Sequence, residues 1–337
     1  MKPNLRPLAQ QVIVITGASS GIGLATARAA VAKGARLVLV ARNEQALEQI
    51  AGELGGSAQV VTMAADVGDR QAMQRVADLA IETFGRFDTW VNNAGIAVIG
   101  KIEDASDADH RRLFETNFWG TYYGSTIAAK YLREHGGAII NLGSSESAAP
   151  IPVHGMYAAS KHAVKAMTDV LRVELRKDAA PVSVTLIRPA ATDTLFTDHA
   201  RDYTASAPVL PPPLYAPEEV AEAILHAAVH PTRDIYIGAS KAFTVIAQNF
   251  PRFYDWLSEK VIYDRLQNGQ PDANWQGALH GPNGGRLTGR ARGYYRGRVL
   301  RHSLYTHASL HPVATVAMLG LGAVAIGALL CGKGRAR

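Results

Sequence analysis

A glycine-rich turn near the N-terminus constrains the fold of this chain more than any other feature. The apolar residues 12–16 predict a strand and the alanine-rich residues 24–33 predict a helix, so the turn joins strand to helix. Its glycines, Gly17, Gly21 and Gly23, have the spacing GxxxGxG. Gly17 permits a tight turn, and Gly21 and Gly23 let a pyrophosphate approach the backbone at the helix N-terminus. The turn predicts a nucleotide site, although such a motif by itself also occurs in loops without a ligand.

The same alternation of strand and helix continues over the first 240 residues. Amphipathic stretches of helical length separate further apolar strand candidates at residues 36–41, 59–64, 87–92, 138–142, 182–187 and 234–238. Strict alternation predicts a parallel sheet with helices on both faces. We therefore predict an α/β fold with a doubly wound, parallel, seven-stranded sheet (a Rossmann fold), with its ligand crevice at the C-terminal ends of the strands.

Three residues downstream have a spacing that indicates chemistry. Ser144 lies thirteen residues before Tyr157, and Lys161 follows Tyr157 by four residues. Residues four apart share one face of a helix, so a positive charge on Lys161 is placed to favour the phenolate of Tyr157. Ser144 follows a predicted strand and is placed to orient a substrate oxygen. Each residue alone is commonplace as a structural residue, but together behind a phosphate turn they predict hydride transfer.

These residues resemble the short-chain dehydrogenase/reductase family over about residues 8–240. The resemblance rests on Thr16, Gly17, Gly21, Ile22, Gly23, Asn92, Asn93, Ala94, Gly95, Asn117, Ser144, Tyr157, Lys161, Arg188 and Pro189, in the family's order. It implies that Tyr157 is the general acid/base and that Ser144 positions substrate. It also implies that Lys161 holds the nicotinamide ribose and lowers the tyrosine pKa, and that Asn117 anchors a proton-relaying water. Ala190 and Gly143 replace the family's usual Gly and Ser, and neither change touches a catalytic side chain.

The resemblance also implies the cofactor contacts. Asp66 and Val67 are expected at the adenine, and Thr194 near the carboxamide. The complete expected set is Gly17, Ser19, Ser20, Gly21, Ile22, Gly23, Arg42, Asp66, Val67, Asn93, Ala94, Gly95, Tyr157, Lys161, Pro189, Thr192 and Thr194.

The end of the second predicted strand bears on which nicotinamide cofactor binds. An acidic residue there accepts the ribose 2′-hydroxyl of NAD, whereas a cation suits the 2′-phosphate of NADP. Residues 40–43 contain Arg42 and no carboxylate, so NADP(H) is predicted as the preferred cofactor. Many NADP sites have a second basic residue in the glycine-rich turn, whereas this chain has the uncharged Ser20 there. NAD(H) is therefore the alternative cofactor.

The substrate is predicted to be a small apolar alcohol or ketone. The loop-rich residues 194–217 are expected to form a lid and contain Phe196, His199, Tyr203 and three consecutive prolines. Apolar residues flank the predicted site at Val98, Ile99, Ile151, Val153 and Met156, and ordinary packing in the core explains them equally well.

Beyond residue 240 we predict three further segments. Residues 241–267 form a helical extension divided by Pro251, either packed on the domain or used as a membrane-surface helix or substrate-channel wall. Residues 268–312 form a basic linker rich in Gly and Arg that cannot bury a core. Residues 313–331 carry no formal charge and predict a transmembrane helix, with a buried terminal helix as the alternative.

Charge divides the chain in the same way. From residue 261 onward ten Lys or Arg oppose two Asp or Glu, a net +8, which leaves −2 for residues 1–260 of the total +6. We expect the basic segment to contact membrane lipids rather than nucleic acid because it leads into the apolar stretch. The catalytic domain is then expected on the cytoplasmic side, where the cofactor is, with a soluble cytoplasmic enzyme as the alternative.

The remaining expectations concern partners and competing functions. Cys331 is the sole cysteine, which excludes internal disulfides and a cysteine-based zinc site, and no metal site is predicted. The resemblance implies a homodimer or homotetramer. The predicted function is interconversion of an alcohol and a carbonyl with NADP(H). The alternatives are a soluble NAD-dependent alcohol dehydrogenase and a non-catalytic nucleotide-binding membrane scaffold.

Overall fold

The computed structural model describes residues 3–204, 206–271, 274–282, 288–311 and 315. Its main sheet has seven parallel strands: β1 (Val12–Thr16), β2 (Arg36–Ala41), β3 (Val60–Ala64), β4 (Thr89–Asn92), β6 (Gly137–Leu142), β7 (Val182–Pro189) and β10 (Asp234–Ile237). They lie in the order β10-β7-β6-β4-β1-β2-β3. Two short parallel pairs complete the strands: β5 (Val98–Ile99) with β8 (Arg201–Asp202), and β9 (Leu214–Tyr215) with β11 (Val299–Leu300). The predicted doubly wound, seven-stranded sheet is confirmed.

Helices cover both faces of this sheet. Those in the connections from β1 to β7 are α1 (Gly21–Ala32), α2 (Glu44–Glu53), α3 (Arg70–Phe84), α4 (Asp107–Phe114), α5 (Gly120–His135) and α6 (Gly155–Lys177). α7 (Phe196–His199) and α8 (Pro217–Val229) lie in the connection from β7 to β10, and α9 (Ser240–Asn249), α10 (Pro251–Leu257) and α11 (Leu304–Leu310) follow the sheet.

The central strands form because they are mainly apolar and are buried on both faces. All five residues of β1 are buried. Ile13 and Ile15 belong to the apolar cluster shared with α1 and α8, whereas Val12 and Val14 belong to the opposite cluster with α3 and α5. Alternate side chains point to opposite faces of a strand, so one run of apolar residues supplies both halves of the core.

The helical extension after the sheet is divided into two helices at Pro251, as the sequence predicts. α9 ends at Asn249, Phe250 leaves the helical region at φ −131° and ψ 58°, and Pro251 opens α10. Proline lacks the N–H that would continue the helix and is well placed in a first turn. One face of this extension buries Tyr254 and Ile262, so the extension is packed on the domain.

The basic segment differs from the solvated linker that its composition predicts. Leu279 is fully buried, and Ala291 and Leu310 are also buried. Gly277, at φ +54°, has Ala200 O only 2.1 Å from where a Cβ would lie, so only glycine lets the chain come this close. A few small or apolar residues thus fit an existing surface, which average composition does not reveal. Several residues in the described part of this segment are therefore packed on the domain rather than solvated.

Two parts of this segment are defined here. The strap comprises residues 274–282 and 288–293, and the tail comprises residues 299–311. The strap is anchored by Ala278 N to His199 O at 2.8 Å and Gly289 N to Ser19 O at 2.8 Å. In the tail, β11 pairs with β9, and Thr306 Oγ1 in α11 accepts a hydrogen bond from Gly238 N at 3.0 Å.

The predicted transmembrane segment, residues 313–331, lies outside the described residues except for Thr315. Within the described part of the chain, no helix has both the length and the apolar character needed to span a bilayer.

Candidate active site

Ser144, Tyr157 and Lys161 meet at the C-terminal end of β6. Ser144 lies just after this strand, and its Oγ accepts a hydrogen bond from Glu146 N at 3.1 Å. The Ser144 hydroxyl also hydrogen-bonds the phenol of Tyr157. Lys161, one turn along α6, donates from Nζ to Leu142 O at 2.9 Å. Because strand end and helix are in contact, residues seventeen positions apart share one buried site, as their spacing predicts.

Asn117 joins this group from a different element. It is fully buried in the π-helical turn Glu115–Trp119 between α4 and α5. Its Oδ1 accepts from Ile96 N at 2.9 Å, and its Nδ2 donates to Ile96 O at 2.9 Å and Ser160 Oγ at 3.0 Å. Such wide turns redirect side chains and recur at functional sites. A Cβ on Gly95 would lie 3.4 Å from Asn117 Oδ1 and 3.5 Å from Lys161 Nζ, so both side chains border Gly95.

Burial dominates the protonation of the Tyr157–Lys161 pair. It raises the pKa of Tyr157 well above its ordinary value; the nearby Glu146 carboxylate raises it further, and the hydrogen bond with Ser144 opposes both effects. Burial lowers the pKa of Lys161 to about 8, with Glu146 opposing. Desolvation disfavours the charged form of each group. The expected depression of the Tyr157 pKa is therefore not what this structure has, because the loss of hydration is the largest effect on the phenol and Glu146 adds to it.

Two buried residues that the motifs do not predict lie beside Tyr157. Glu146 Oε1 and His154 Nδ1 are 3.0 Å apart, and both side chains are buried. The His154 ring centroid lies 6.1 Å from that of Tyr157, and the Phe196 ring centroid lies 5.2 Å from it. Their only sequence signal is proximity to Ser144 and Tyr157, because a loop Glu and a loop His are ordinarily solvated.

The glycine turn is closed against the loop that follows β4. A Cβ on Gly17 would lie 2.8 Å from Ala94 Cα, and one on Gly23 would lie 2.3 Å from Gly17 O and 2.6 Å from Asn93 Nδ2. Asn93 Nδ2 donates to Thr16 O at 2.8 Å. These contacts leave a side-chain-free cradle at the N-terminus of α1, which fits the phosphates of a dinucleotide.

A cavity of about 530 Å³ extends from this cradle to Tyr157. Except for Gly23 and Asn117, every residue in the predicted catalytic and cofactor sets lines it: Gly17, Ser19, Ser20, Gly21, Ile22, Arg42, Asp66, Val67, Asn93, Ala94, Gly95, Ser144, Tyr157, Lys161, Pro189, Thr192 and Thr194. Gly23 and Asn117 support the wall from behind, through the contacts given above. The size and the lining suit a dinucleotide with a substrate beside it.

Arg42 lines this cavity and is held by the strap. Its Nη1 donates to Leu279 O at 3.1 Å, and its Nη2 donates to Ala278 O. Burial and the neighbouring Arg112 lower the pKa of Arg42, while Asp66 opposes them. A guanidinium has five N–H donors, so two carbonyl bonds orient it and leave others for a ligand.

The strap also reaches the cradle. Gly21 N, the first N–H of α1, donates to Arg290 O at 2.9 Å. Ala278, Pro282 and Thr288 of the strap line the cavity. One N–H that the sequence assigns to a pyrophosphate is thus bonded to the strap, and the cavity has a wall that the motifs do not predict.

The predicted lid is found in part. Phe196, His199, Leu210 and the three prolines at 211–213 line the cavity. Tyr203 instead donates its hydroxyl to Asp109 Oδ2 at 2.6 Å. Ile151 lines the cavity, whereas Val98, Ile99 and Val153 belong to the buried apolar cluster that contains Tyr157.

A doubly wound sheet, a glycine cradle and a buried Ser–Tyr–Lys group at one sheet edge define a dinucleotide-dependent oxidoreductase. The sequence profile of the short chain dehydrogenase family matches residues 11–204, and the chain belongs to this family. It is therefore an oxidoreductase that acts on CH–OH and C=O groups and binds a nicotinamide cofactor.

Two relatives show how far the similarity extends. An uncharacterized oxidoreductase of Bacillus subtilis, YxnA, is 43% identical over 324 residues, which cover 94% of this chain and 90% of that protein. The 11-beta-hydroxysteroid dehydrogenase A of Sesamum indicum is 40% identical over 193 residues, which cover 56% of this chain and 55% of that protein. Similarity to YxnA thus continues past the sheet into the C-terminal extension.

Solved structures match the catalytic part. An alcohol dehydrogenase from Thermococcus sibiricus, complexed with 5-hydroxy-NADP, is 29% identical with a TM-score of 0.59 and covers 67% of this chain and 95% of its own. A 3-ketoacyl-(acyl-carrier-protein) reductase from Brucella melitensis, complexed with NADH, is 27% identical with a TM-score of 0.59 and covers 69% of this chain and 99% of its own.

Proposed function

We propose that this protein is an NADP(H)-dependent oxidoreductase that interconverts an apolar, lipid-like alcohol and the corresponding ketone. The observation that carries the substrate class is the apolar wall of the cavity that Tyr157 lines. That wall contains Ile151, Leu195, Phe196, Leu210, Phe243, Leu257, Val261 and Ile262. A nicotinamide bound in the cavity would supply the hydride to a ketone or accept it from an alcohol. Such a wall favours a substrate with few polar groups beyond the reacting oxygen.

The proton step belongs to Tyr157. Because burial keeps its phenol protonated at neutral pH, Tyr157 is suited to donate a proton to the substrate oxygen during reduction. The Ser144 hydroxyl bonds the same phenol and is available to orient that oxygen. Lys161, with a pKa near 8, exchanges protons readily near neutral pH and can restore the proton of Tyr157.

The helical extension supports a membrane source for the substrate. Phe243 and Leu257, from α9 and α10, line the cavity. On the solvent side of the same extension, Phe250, Phe253 and Trp256 are 61%, 51% and 52% exposed. Exposed aromatic rings on an amphipathic helix suit a lipid surface. We propose that this face and the predicted C-terminal helix hold the protein on a membrane, where apolar substrates partition.

We also propose a homodimer or homotetramer formed through α5 and α6. On α6, Val170 and Val173 are 55% and 62% exposed, and Trp119, just before α5, is 39% exposed. Exposed apolar residues on adjacent helices suit burial against a second copy.

The preference for NADP(H) rests on Arg42. It lies at the end of β2, lines the cavity and is oriented by two strap carbonyls. Burial and the neighbouring cation Arg112 disfavour the charge on Arg42 more than the Asp66 carboxylate favours it, so a further negative group would stabilise that charge. A 2′-phosphate would provide that group, whereas the 2′-hydroxyl of NAD would not.

Replacing Arg42 by leucine is expected to weaken NADPH binding about 10- to 100-fold, the cost of losing a charge-assisted hydrogen bond. The Kd of NADH is expected to change much less, so the ratio of the two Kd values is the readout. Any effect of the lost strap bonds falls on both cofactors and cancels in this ratio. Arg28→Leu, which removes a surface pair with Glu53, is the matched control. An equal loss for NADPH and NADH would contradict the assignment.

The substrate class is tested with a series of straight-chain methyl ketones. We expect kcat/KM to rise about fourfold per added CH₂ until the wall is covered, because each buried CH₂ contributes about 0.8 kcal/mol. Leu257→Ser should flatten this dependence, whereas Leu304→Ser, at an exposed position in the tail, should leave it unchanged. A rate independent of chain length in the parent enzyme would argue for a polar substrate.

A further inference from the structure

A second cluster of chemically active side chains lies where the tail crosses α8. Glu219 and Glu222 come from α8, and His302 and His307 come from the tail. The two imidazole nitrogens, His302 Nδ1 and His307 Nε2, are 3.2 Å apart. Glu219 Oε2 lies 3.7 Å from the first and 3.5 Å from the second. Three ligand atoms from two distant parts of the chain therefore surround one point.

The carboxylate of Glu219 is the most informative member of this cluster. The residue is 2% exposed. Its Oε1 accepts a hydrogen bond from Ser303 N at 3.0 Å, whereas its buried Oε2 has no hydrogen-bond partner among the described residues. A buried carboxylate oxygen is costly unless a positive charge or a donor compensates it. Its distances to both imidazoles exceed a hydrogen bond and leave room for an ion between the three atoms.

The distances match those of a small tetrahedral ion. Zinc bonds of 2.0–2.1 Å to nitrogen and oxygen give tetrahedral edges of roughly 3.3–3.4 Å. The three observed edges, 3.2, 3.5 and 3.7 Å, bracket this length. Two imidazoles and a carboxylate suit zinc better than magnesium or calcium, which prefer all-oxygen ligands.

We propose that Glu219, His302 and His307 bind one zinc ion. Glu222, whose Oε2 lies 4.0 Å from His307 Nε2, borders the fourth position. The Ser303 N–H bond to Oε1 holds the Glu219 carboxylate in place, in the way that outer hydrogen bonds orient metal ligands. The site is independent of the active site and of the substrate proposed above.

The position of the cluster assigns the ion a structural role. Ser303 caps the N-terminus of α11, where its Oγ accepts a hydrogen bond from Thr306 N at 3.2 Å. Just before it, Leu300 O accepts a hydrogen bond from Ala216 N at 2.9 Å, next to the start of α8. An ion bound here clamps the tail to α8. Because the strap precedes the tail and contacts the cofactor cradle, the clamp also limits how far the strap can move.

The experiment uses the untagged full chain, freed of metal by a chelator and titrated with zinc chloride by calorimetry. One zinc ion per chain is expected, with a rise in Tm on binding. His302→Gln combined with His307→Gln should weaken zinc binding by more than the roughly 100-fold that loss of an outer-shell partner costs. His230→Gln is the matched control: His230 directly follows the last residue of α8, and its ring stacks on His226 rather than facing Glu219.

Two further measurements keep the test decisive. The His302 side chain is 73% exposed, so the single variant His302→Gln should fold like the parent and still show weakened binding. Cobalt(II) in place of zinc should give the visible absorption of a tetrahedral site in the parent and not in the double variant. Absence of zinc binding by the parent, or undiminished binding by the double variant, would overturn the proposal.

Discussion

Replacing Tyr157 by phenylalanine is expected to lower kcat about 10²- to 10⁴-fold, the usual contribution of a general acid. The phenol is buried, hydrogen-bonded to Ser144 and kept protonated by its surroundings, so its removal takes away the proton donor that we propose. The variant removes one oxygen and keeps the ring. Cofactor binding should therefore persist, which intrinsic fluorescence titration with NADPH would measure beside steady-state kinetics.

The matched control for this experiment is Tyr131→Phe. Tyr131 lies in α5 and its ring contacts Phe87, away from the cavity. The control should retain the parent kcat. Turnover by Tyr157→Phe within tenfold of the parent would show that another group moves the proton, and equal loss in both variants would indicate a general effect on folding.

Replacing Gly23 by alanine is expected to have the second largest effect. Its Cβ would lie 2.3 Å from Gly17 O and 2.6 Å from Asn93 Nδ2, closer than real Cβ contacts. The turn and the loop after β4 must shift to admit it, and such overpacking costs about 1–3 kcal/mol of unfolding free energy. Both displaced groups border the cradle, so affinity for NADPH should fall. We expect a loss of about 100-fold, similar to the loss of rate that a misplacement of about 1 Å can cause in an active site.

Gly52→Ala provides the matched control. Gly52 lies within α2, and no atom lies within 4 Å of its added Cβ. Alanine there should raise the unfolding free energy by about 0.5–1 kcal/mol and leave cofactor binding unchanged. Urea denaturation and NADPH titration of both variants give the comparison. Parent-like affinity in Gly23→Ala would mean that the cradle does not hold the phosphates.

Local patterns in the sequence were sufficient to predict the sheet and to select the main candidate site residues. The run at residues 12–16 is apolar at every position, which suits a strand buried on both faces, and β1 has these bounds. Ser144, Tyr157 and Lys161 were recognisable because a helix repeats its face every four residues and a parallel sheet aligns its strand ends. Pro251 marked the division between α9 and α10 for an equally local reason, its missing N–H.

The residues that surround the candidate site could not be predicted from local sequence patterns. Arg42 was identified as a cation at the end of β2, but the two carbonyls that orient it belong to residues 278 and 279, more than two hundred positions later. The pKa of Tyr157 was expected to be lowered by Lys161 and is instead raised by burial. The strap was expected to be a solvated linker because its glycines and arginines cannot form a core of their own.

The sequence by itself thus determined the fold, the cradle and the grouping of Ser144, Tyr157 and Lys161, since each depends on periodicity or spacing within one or two elements. Only the tertiary structure decided the strap contacts, the buried Glu146–His154 pair and the meeting of Glu219 with His302 and His307. Those features depend on burial and on distances between atoms far apart in the chain. Both are set by how helices and strands come together, which local spacing does not encode.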